Sequence, residues 1–404
     1  MRSEIMQLKS LATRYLATRR RTERLCASLA IEDHVPQPIL EVSPPKWHLG
    51  HTAWFFETVI LKPHVAGYRL YDPVYGFVFN SYYESQGPHA ERSKRGDMSR
   101  PTVKQVLAYR AHVDDAMQPL LMGPLDSELA KLIELGIQHE QQHQELLITD
   151  IKVILGTNPA LPPFNPDVES AVDVQLEHRM DMVDGQERWL PIVEGVHQVG
   201  HAGAGFAFDN EQPRHSVFLA SGYIRSTLVT NSEYLAFMED DGYRRYEFWH
   251  AEGWDWVQSL PIRAPMYWQR CPDAASGWSV YTLDGLQAVN PDTPVTHINY
   301  FEAHAFCQWA GWRLPTEFEW EAMADHLNYG RRWEWTSSAY SPYPGFRPFH
   351  GQVAEYNGKF MLNQMVLRGG SFATPEGHTR STYRNFFYAP LRWQYTGIRP
   401  ARDP

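Results

Sequence analysis

Cysteine is scarce in this chain. Only three occur in 404 residues, Cys26, Cys271 and Cys307, and their spacing forms neither a CxxC pair nor a disulfide framework. A disulfide-stapled secreted scaffold is thereby excluded, and a reducing cytoplasm is the expected compartment. Positive charge is not in excess either: 37 Lys and Arg stand against 47 Asp and Glu, for a formal net charge of -10. Nucleic acid and anionic membrane therefore have no bulk electrostatic support as partners. The short basic run Arg19-Arg20-Arg21 lies on a helical pattern and reads as a solvated face. No apolar run is long enough to span a bilayer. The N-terminus lacks the charged start, apolar stretch and cleavage site of a signal peptide. Aromatics, by contrast, are abundant, with 14 Trp, 21 Tyr and 19 Phe. They suit aromatic-lined pockets, although an ordinary core uses the same residues.

The length predicts two or three domains. Residues 1–157 read as helices. Ile5, Leu8, Leu11, Tyr15 and Leu16 recur at helical spacing. Ser43-Pro44-Pro45 predicts a helix start with serine as the cap, and the helix that follows places Trp47, His51, Trp54 and Thr58 on one face and ends at Pro63. Pro101 opens a third helix, and Asp126 or Ser127 caps a fourth that stops at Gly156. Four helices with short connections predict an up-down four-helix bundle. Residues 158–188, rich in proline at first, read as a linker. Residues 189–404 carry short strands, frequent Gly, Pro and Trp, and helical periodicity only at 231–239 and in two stretches between 299 and 325, which predicts an irregular α+β domain.

The strongest local signal is His139-Glu140-Gln141-Gln142-His143. Histidines at i and i+4 lie one turn apart on one helix face and can converge on one ion. Leu132, Leu135 and Leu146 share that face and turn it inward. His51, on the aromatic face of the second helix, is the candidate third ligand, with His48 as its competitor. Three neutral imidazoles suit Zn, Fe, Cu or Ni, so the donors leave the metal open. Three protein ligands also leave coordination positions free, as a catalytic site requires. Glu140 and Glu145 are candidates to orient the imidazoles, or else exposed helix carboxylates.

WHLGHTAWFFE (47–57) and HEQQHQELLITDIK (139–152) resemble the DinB-type four-helix metal domain. The stretches at 230–243, 294–324, 333–338 and 366–374 resemble the formylglycine-generating-enzyme domain, a C-type-lectin-like fold. The two together, with the ending YRNFFYAPLRWQYTGIRPARD, resemble the sulfoxide synthases of ergothioneine biosynthesis over nearly the whole chain. The resemblance implies Fe(II) as cofactor, with O2, hercynine and L-cysteine or γ-glutamylcysteine as substrates. The reaction would join the thiol sulfur to hercynine's imidazole C2 and oxidise it to a sulfoxide. It also implies Tyr82 and Tyr83 as catalytic candidates, and Arg92 and Arg95 as a clamp on the thiol substrate's carboxylate. Asn385, Phe386 and Phe387 are implied as hercynine contacts, and Gln142 matches a substrate-binding position. The γ-glutamylcysteine branch resembles Asn-Trp-Asp where this chain has Asn385-Phe386-Phe387; with the tyrosine pair, that departure favours free cysteine. Three other activities remain to be weighed. A formylglycine-generating oxidase would need a cysteine pair in its C-terminal part, and none follows Cys307. A DinB-type thiol transferase would consume no oxygen. Selenoneine or ovothiol-type synthases share the architecture, but the ovothiol enzyme usually carries a further methyltransferase domain.

Overall fold

The computed structural model describes residues 2–164, 188–261, 263–349, 351–353 and 356–404. The expected linker at 158–188 falls largely on 165–187, outside the described residues. The chain forms two compact units. One is Met1–Val172 with His350–Glu355; the other is Asp173–Phe349 with Tyr356–Pro404. Among the described residues, no helix is long and apolar enough to cross a membrane.

The first unit is the expected bundle. Its long helices are α1 (Arg2–Ala27), α2 (Pro45–Phe55), α3 (Val103–Met122) and α4 (Ser127–Gly156). Helix α1 packs on α3 and α4, and α2 packs on the same two. Two helix starts differ from expectation. Pro44, not Ser43, is the cap of α2, with Pro45 as its first residue; the Ser43 N–H instead donates to Asp150 Oδ2 at 2.8 Å. Helix α3 begins after Pro101, where Thr102 and Gln105 form a capping box that satisfies two otherwise orphaned N–H groups. Asp126 caps α4 by accepting from Leu129 N. Helix α2 runs without a break into a π-helical stretch, Phe56–Leu61, and then Lys62–His64.

A buried ionic knot ties the four helices, and it corrects the reading of Arg19 as a solvated residue. Arg19 is 1 % exposed and reaches Asp114 at 2.7 Å and Glu140 at 2.9 Å. Arg110 reaches the second Glu140 oxygen at 2.9 Å, and also the Leu49 carbonyl and Thr52 Oγ1 of α2. Thr22 donates to Glu140 at 2.6 Å. Burial pushes the Glu140 carboxyl up, but Arg19, Arg110 and the Thr22 hydroxyl outweigh it and hold it at about 2. Glu140 therefore orients helices rather than imidazoles, because one residue of α-helix turns its side chain about 100° from that of His139.

The second unit is strand-rich and irregular. Strands β1 (Trp189–Ile192), β4 (Gly222–Arg225) and β12 (Ala401–Arg402) form one antiparallel sheet. Strands β8 (Trp333–Ala339), β9 (Gln364–Arg368), β10 (Asn385–Tyr388) and β11 (Thr396–Gly397) form another, in the order β10-β9-β8-β11. The hairpin β2 (Gly195–Val199) with β3 (His215–Leu219), and the meander β5 (Trp268–Arg270), β6 (Trp278–Thr282) and β7 (Gly285–Ala288), complete the sheets. The expected helices are α5 (Asn231–Glu239), α7 (Tyr300–Trp309) and α8 (Glu317–Met323); α6 (Ala251–Gln258) was not expected. Helix α8 buries Trp320 against Ile192, Leu219 and Ile224. Buried pairs, Arg384 with Glu317 and Arg399 with Glu334, fasten loops to this core.

Candidate metal centre

The helical unit brings His51, His139 and His143 together. One ring nitrogen from each lies within 4.8 Å of the other two, and Nε2 of His51 is 3.3 Å from Nε2 of His139. Burial, then the neighbouring imidazoles, holds His51 and His143 well below the ordinary histidine range, and burial takes His139 to about 3. All three rings are thus neutral near pH 7, the form that donates a lone pair to a metal.

The approach of each ring is built by its element. His51 donates from Nδ1 to the Phe79 carbonyl at 2.7 Å, which leaves Nε2 as a lone pair aimed inward. Gly50 makes that bond possible: a Cβ there would lie 2.1 Å from the Phe79 ring, so only glycine lets the 79 loop approach α2. The His51 ring lies between two indoles, Trp47 at 4.5 Å and Trp54 at 5.5 Å, both nearly parallel to it. His139 stacks on Phe55 at 4.4 Å. His143 is the only one of the three that keeps some solvent exposure, so the open side of the cluster lies there.

The donor set fits a metal ion. Imidazole nitrogens that share one small ion sit about 2.0–2.1 Å from it, which places neighbouring donors roughly 3 Å apart. The 3.3 Å between His51 and His139 meets that spacing.

His48, the competing ligand, lies one layer further out. Its Nδ1 faces Nδ1 of His143 at 2.9 Å, and its Nε2 faces Asp150 Oδ2 at 2.9 Å. Asp150 is eleven residues beyond His139 on α4, close to three turns, and so returns to the same face. That spacing was present in the sequence as a signal for this pair.

Among the remaining expected residues, Arg95 is brought to the cluster and Arg92 is turned away from it. Arg95 is buried, 3.4 Å above the Trp47 ring, and bonds Ser43 Oγ at 2.9 Å. Its Nε meets no partner among the described residues, and burial, reinforced by Arg92, depresses its proton affinity against the pull of Asp150. Arg92 is exposed and reaches the Glu41 carbonyl. Tyr83 is fully buried against Trp54 and Phe55, and Tyr82 stacks on it at 4.6 Å. Asn80, which sequence reasoning did not single out, holds that loop: its side chain pairs with the Tyr83 backbone on both sides and with the Gly87 carbonyl. Gln142 is half-buried on α4, as is Glu145. Asn385, Phe386 and Phe387 belong to β10 of the second unit. There Phe386 stacks on Tyr340 at 4.0 Å, Phe387 meets Trp393, and Asn385 Oδ1 accepts from Phe386 N.

Residues 14–147 match the DinB superfamily and residues 184–332 match the sulfatase-modifying factor enzyme 1-like domain. The chain is therefore of the two-domain class that joins a DinB-like helical domain to a formylglycine-generating-enzyme-like one. Over 421 residues it is 30% identical to hercynine oxygenase of Mycolicibacterium thermoresistibile, covering 90% of this chain and 88% of that one. Hercynine oxygenase of Mycobacterium tuberculosis is 27% identical over 412 residues, covering 90% and 91%. The formylglycine-generating enzyme of Streptomyces coelicolor is 33% identical over 145 residues, but that match covers only 33% of this chain. The chain belongs to the hercynine oxygenase family and is an oxidoreductase.

Proposed function

We propose that this protein joins the sulfur of L-cysteine to the imidazole C2 of hercynine, using Fe(II) and O2, and releases the sulfoxide. The overall change balances: the C2–H and S–H hydrogens leave as one water with one oxygen atom of O2, and the other oxygen stays on sulfur. The observation that carries the reading is the cluster of three neutral imidazoles from His51, His139 and His143, open at one side, beside the buried Arg95 guanidinium.

The iron would be held by His51, His139 and His143, and would supply oxygen activation together with the acidity that turns a bound thiol into a thiolate. The chain's own residues do the rest. Arg95, a buried cation whose Nε–H meets no partner among the described residues, takes the cysteine carboxylate, because a buried guanidinium is stabilised by an anion in charge-assisted contact. That anchor places the sulfur beside the ring carbon, which is catalysis by position. Gln142 contributes to substrate binding, and in the second unit Asn385 bonds the hercynine carboxylate while the Phe386 and Phe387 rings favour its quaternary ammonium. Tyr82 or Tyr83 delivers a proton or hydrogen atom on the oxygen side, and so turns the outcome from thiol dioxygenation to sulfoxide formation. The tyrosine pair, and phenylalanines at 386 and 387, support free cysteine over γ-glutamylcysteine. The three unpaired cysteines suit a cytoplasmic setting.

Mass spectrometry of the products of iron-loaded protein with hercynine, oxygen and either thiol tests the reading. Hercynylcysteine sulfoxide is expected with cysteine. Oxygen-independent product, or turnover with γ-glutamylcysteine alone, would refute it in reaction type or in thiol respectively.

A further inference from the structure

The bonding around His48 has a direction that fixes more than its own place. A carboxylate only accepts, so the proton on His48 Nε2 is donated to Asp150 Oδ2, 2.9 Å away. A metal on Nε2 of His143 requires the His143 proton on Nδ1, so His48 Nδ1 must present a lone pair to it. That lone pair faces Nδ1 of His143 at 2.9 Å, and two lone pairs at that distance repel, so the proton between them belongs to His143. His143 is left with Nε2 bare. The Phe79 carbonyl achieves the same for His51 by accepting from its Nδ1.

We infer that His48, held by Asp150, is the positioning residue that sets the tautomer and ring orientation of His143 so that Nε2 faces the metal. The inference rests on the metal-centre reading given above. A carboxylate or carbonyl behind a ligating imidazole is the usual arrangement, and its loss weakens metal binding about 10–100-fold; here an imidazole stands between the carboxylate and the ligand. Asp150 is itself fixed, since it also accepts from Ser43 N at 2.8 Å. Ser43 Oγ in turn accepts from Arg95 at 2.9 Å. A single hydrogen-bonded chain therefore runs from Arg95 through Ser43, Asp150 and His48 to His143. Both ends of the site, anion anchor and metal ligand, are set from one carboxylate.

The test uses the full chain and Co(II) alone, with affinity read by chelator competition. His48→Leu removes both bonds. His48→Gln restores them, because its amide oxygen accepts from His143 Nδ1 and its amide N–H donates to Asp150. A loss of roughly 10–100-fold is expected for His48→Leu, with most of it recovered by His48→Gln. In the zinc-loaded chain with 15N-labelled histidine, long-range proton–nitrogen correlations should place protons on Nδ1 of His143 and Nε2 of His48. This second readout needs no variant. Wild-type affinity in His48→Leu, or a proton on Nε2 of His143, would overturn the inference while leaving the metal centre in place. A wild-type chain that takes up no Co(II) would overturn the metal reading and this inference with it.

Discussion

Replacing Glu140 by Gln isolates the knot that holds the bundle. The side chain keeps its shape and loses its charge, at a position with 0 % exposure. Two guanidiniums, of Arg19 and Arg110, then lose their shared carboxylate while remaining buried. The native Glu140 carboxyl is held at about 2 against an ordinary 4.5, and that depression corresponds to about 3 kcal/mol of stability at neutral pH. An independent route, the loss of one partner from a buried ion pair, gives roughly 3–5 kcal/mol. The sign follows from the depressed native value. The contribution is complete above the unfolded value near 4.5 and is lost as pH falls toward about 2. Urea unfolding followed by far-UV ellipticity should therefore place Glu140→Gln about 3 kcal/mol below wild type at neutral pH, with the gap shrinking to about 1 kcal/mol near pH 3. A gap that is negligible at neutral pH, or one that does not change with pH, would show that the carboxylate is not the centre of the knot.

The other predictions concern the centre itself. His139→Ala should abolish iron loading while far-UV ellipticity stays native, because the ring stacks on Phe55 but takes no part in the knot; full iron content in that variant would refute the ligand assignment. Gly50→Ala should cost about 1–3 kcal/mol by overpacking against Phe79 and should also weaken iron binding, since the Phe79 carbonyl that orients His51 must move; denaturation and metal titration check the two effects separately. Changing Tyr82 and Tyr83 together to Phe should shift product toward cysteine sulfinic acid, and an unchanged product ratio by mass spectrometry would remove both from the chemistry.

What could be read in advance followed from periodicity and spacing. The i, i+4 pair on α4 and the aromatic face of α2 gave the triad, because a helix converts sequence spacing directly into direction. The long helices were legible for the same reason. Arg19 was misread because a basic run looks solvated until a distant carboxylate is known to meet it; Glu140 lies 121 positions away. His48 was weighed as a ligand because the sequence shows what a histidine can do, while its actual partner, Asp150, comes from another helix. Arg92 and Arg95 are equivalent in composition, yet one is exposed and the other lies on an indole, a difference set by the turn at Arg92–Lys94.

The knot and the centre use the same two helices on adjacent stripes. On α4, His139 and His143 face the cluster, while Glu140 and Gln144, the next residue in each case, face α1 through Arg19, Thr22 and the Thr18 carbonyl. On α2, His51 faces the cluster, while the Leu49 carbonyl and Thr52 are gripped by Arg110. The ring positions are thus set by backbones that charged bonds hold from behind, not by the histidines themselves. Three neutral donors bring no charge of their own with which to organise a site, and a cluster of lone pairs is self-repelling without an ion. A bundle that must keep such a cluster in place, with one side left open, needs its rigidity supplied elsewhere. The ionic knot lies one residue along α4 from the candidate ligands, where charge is buried and paired without reaching into the histidine cluster.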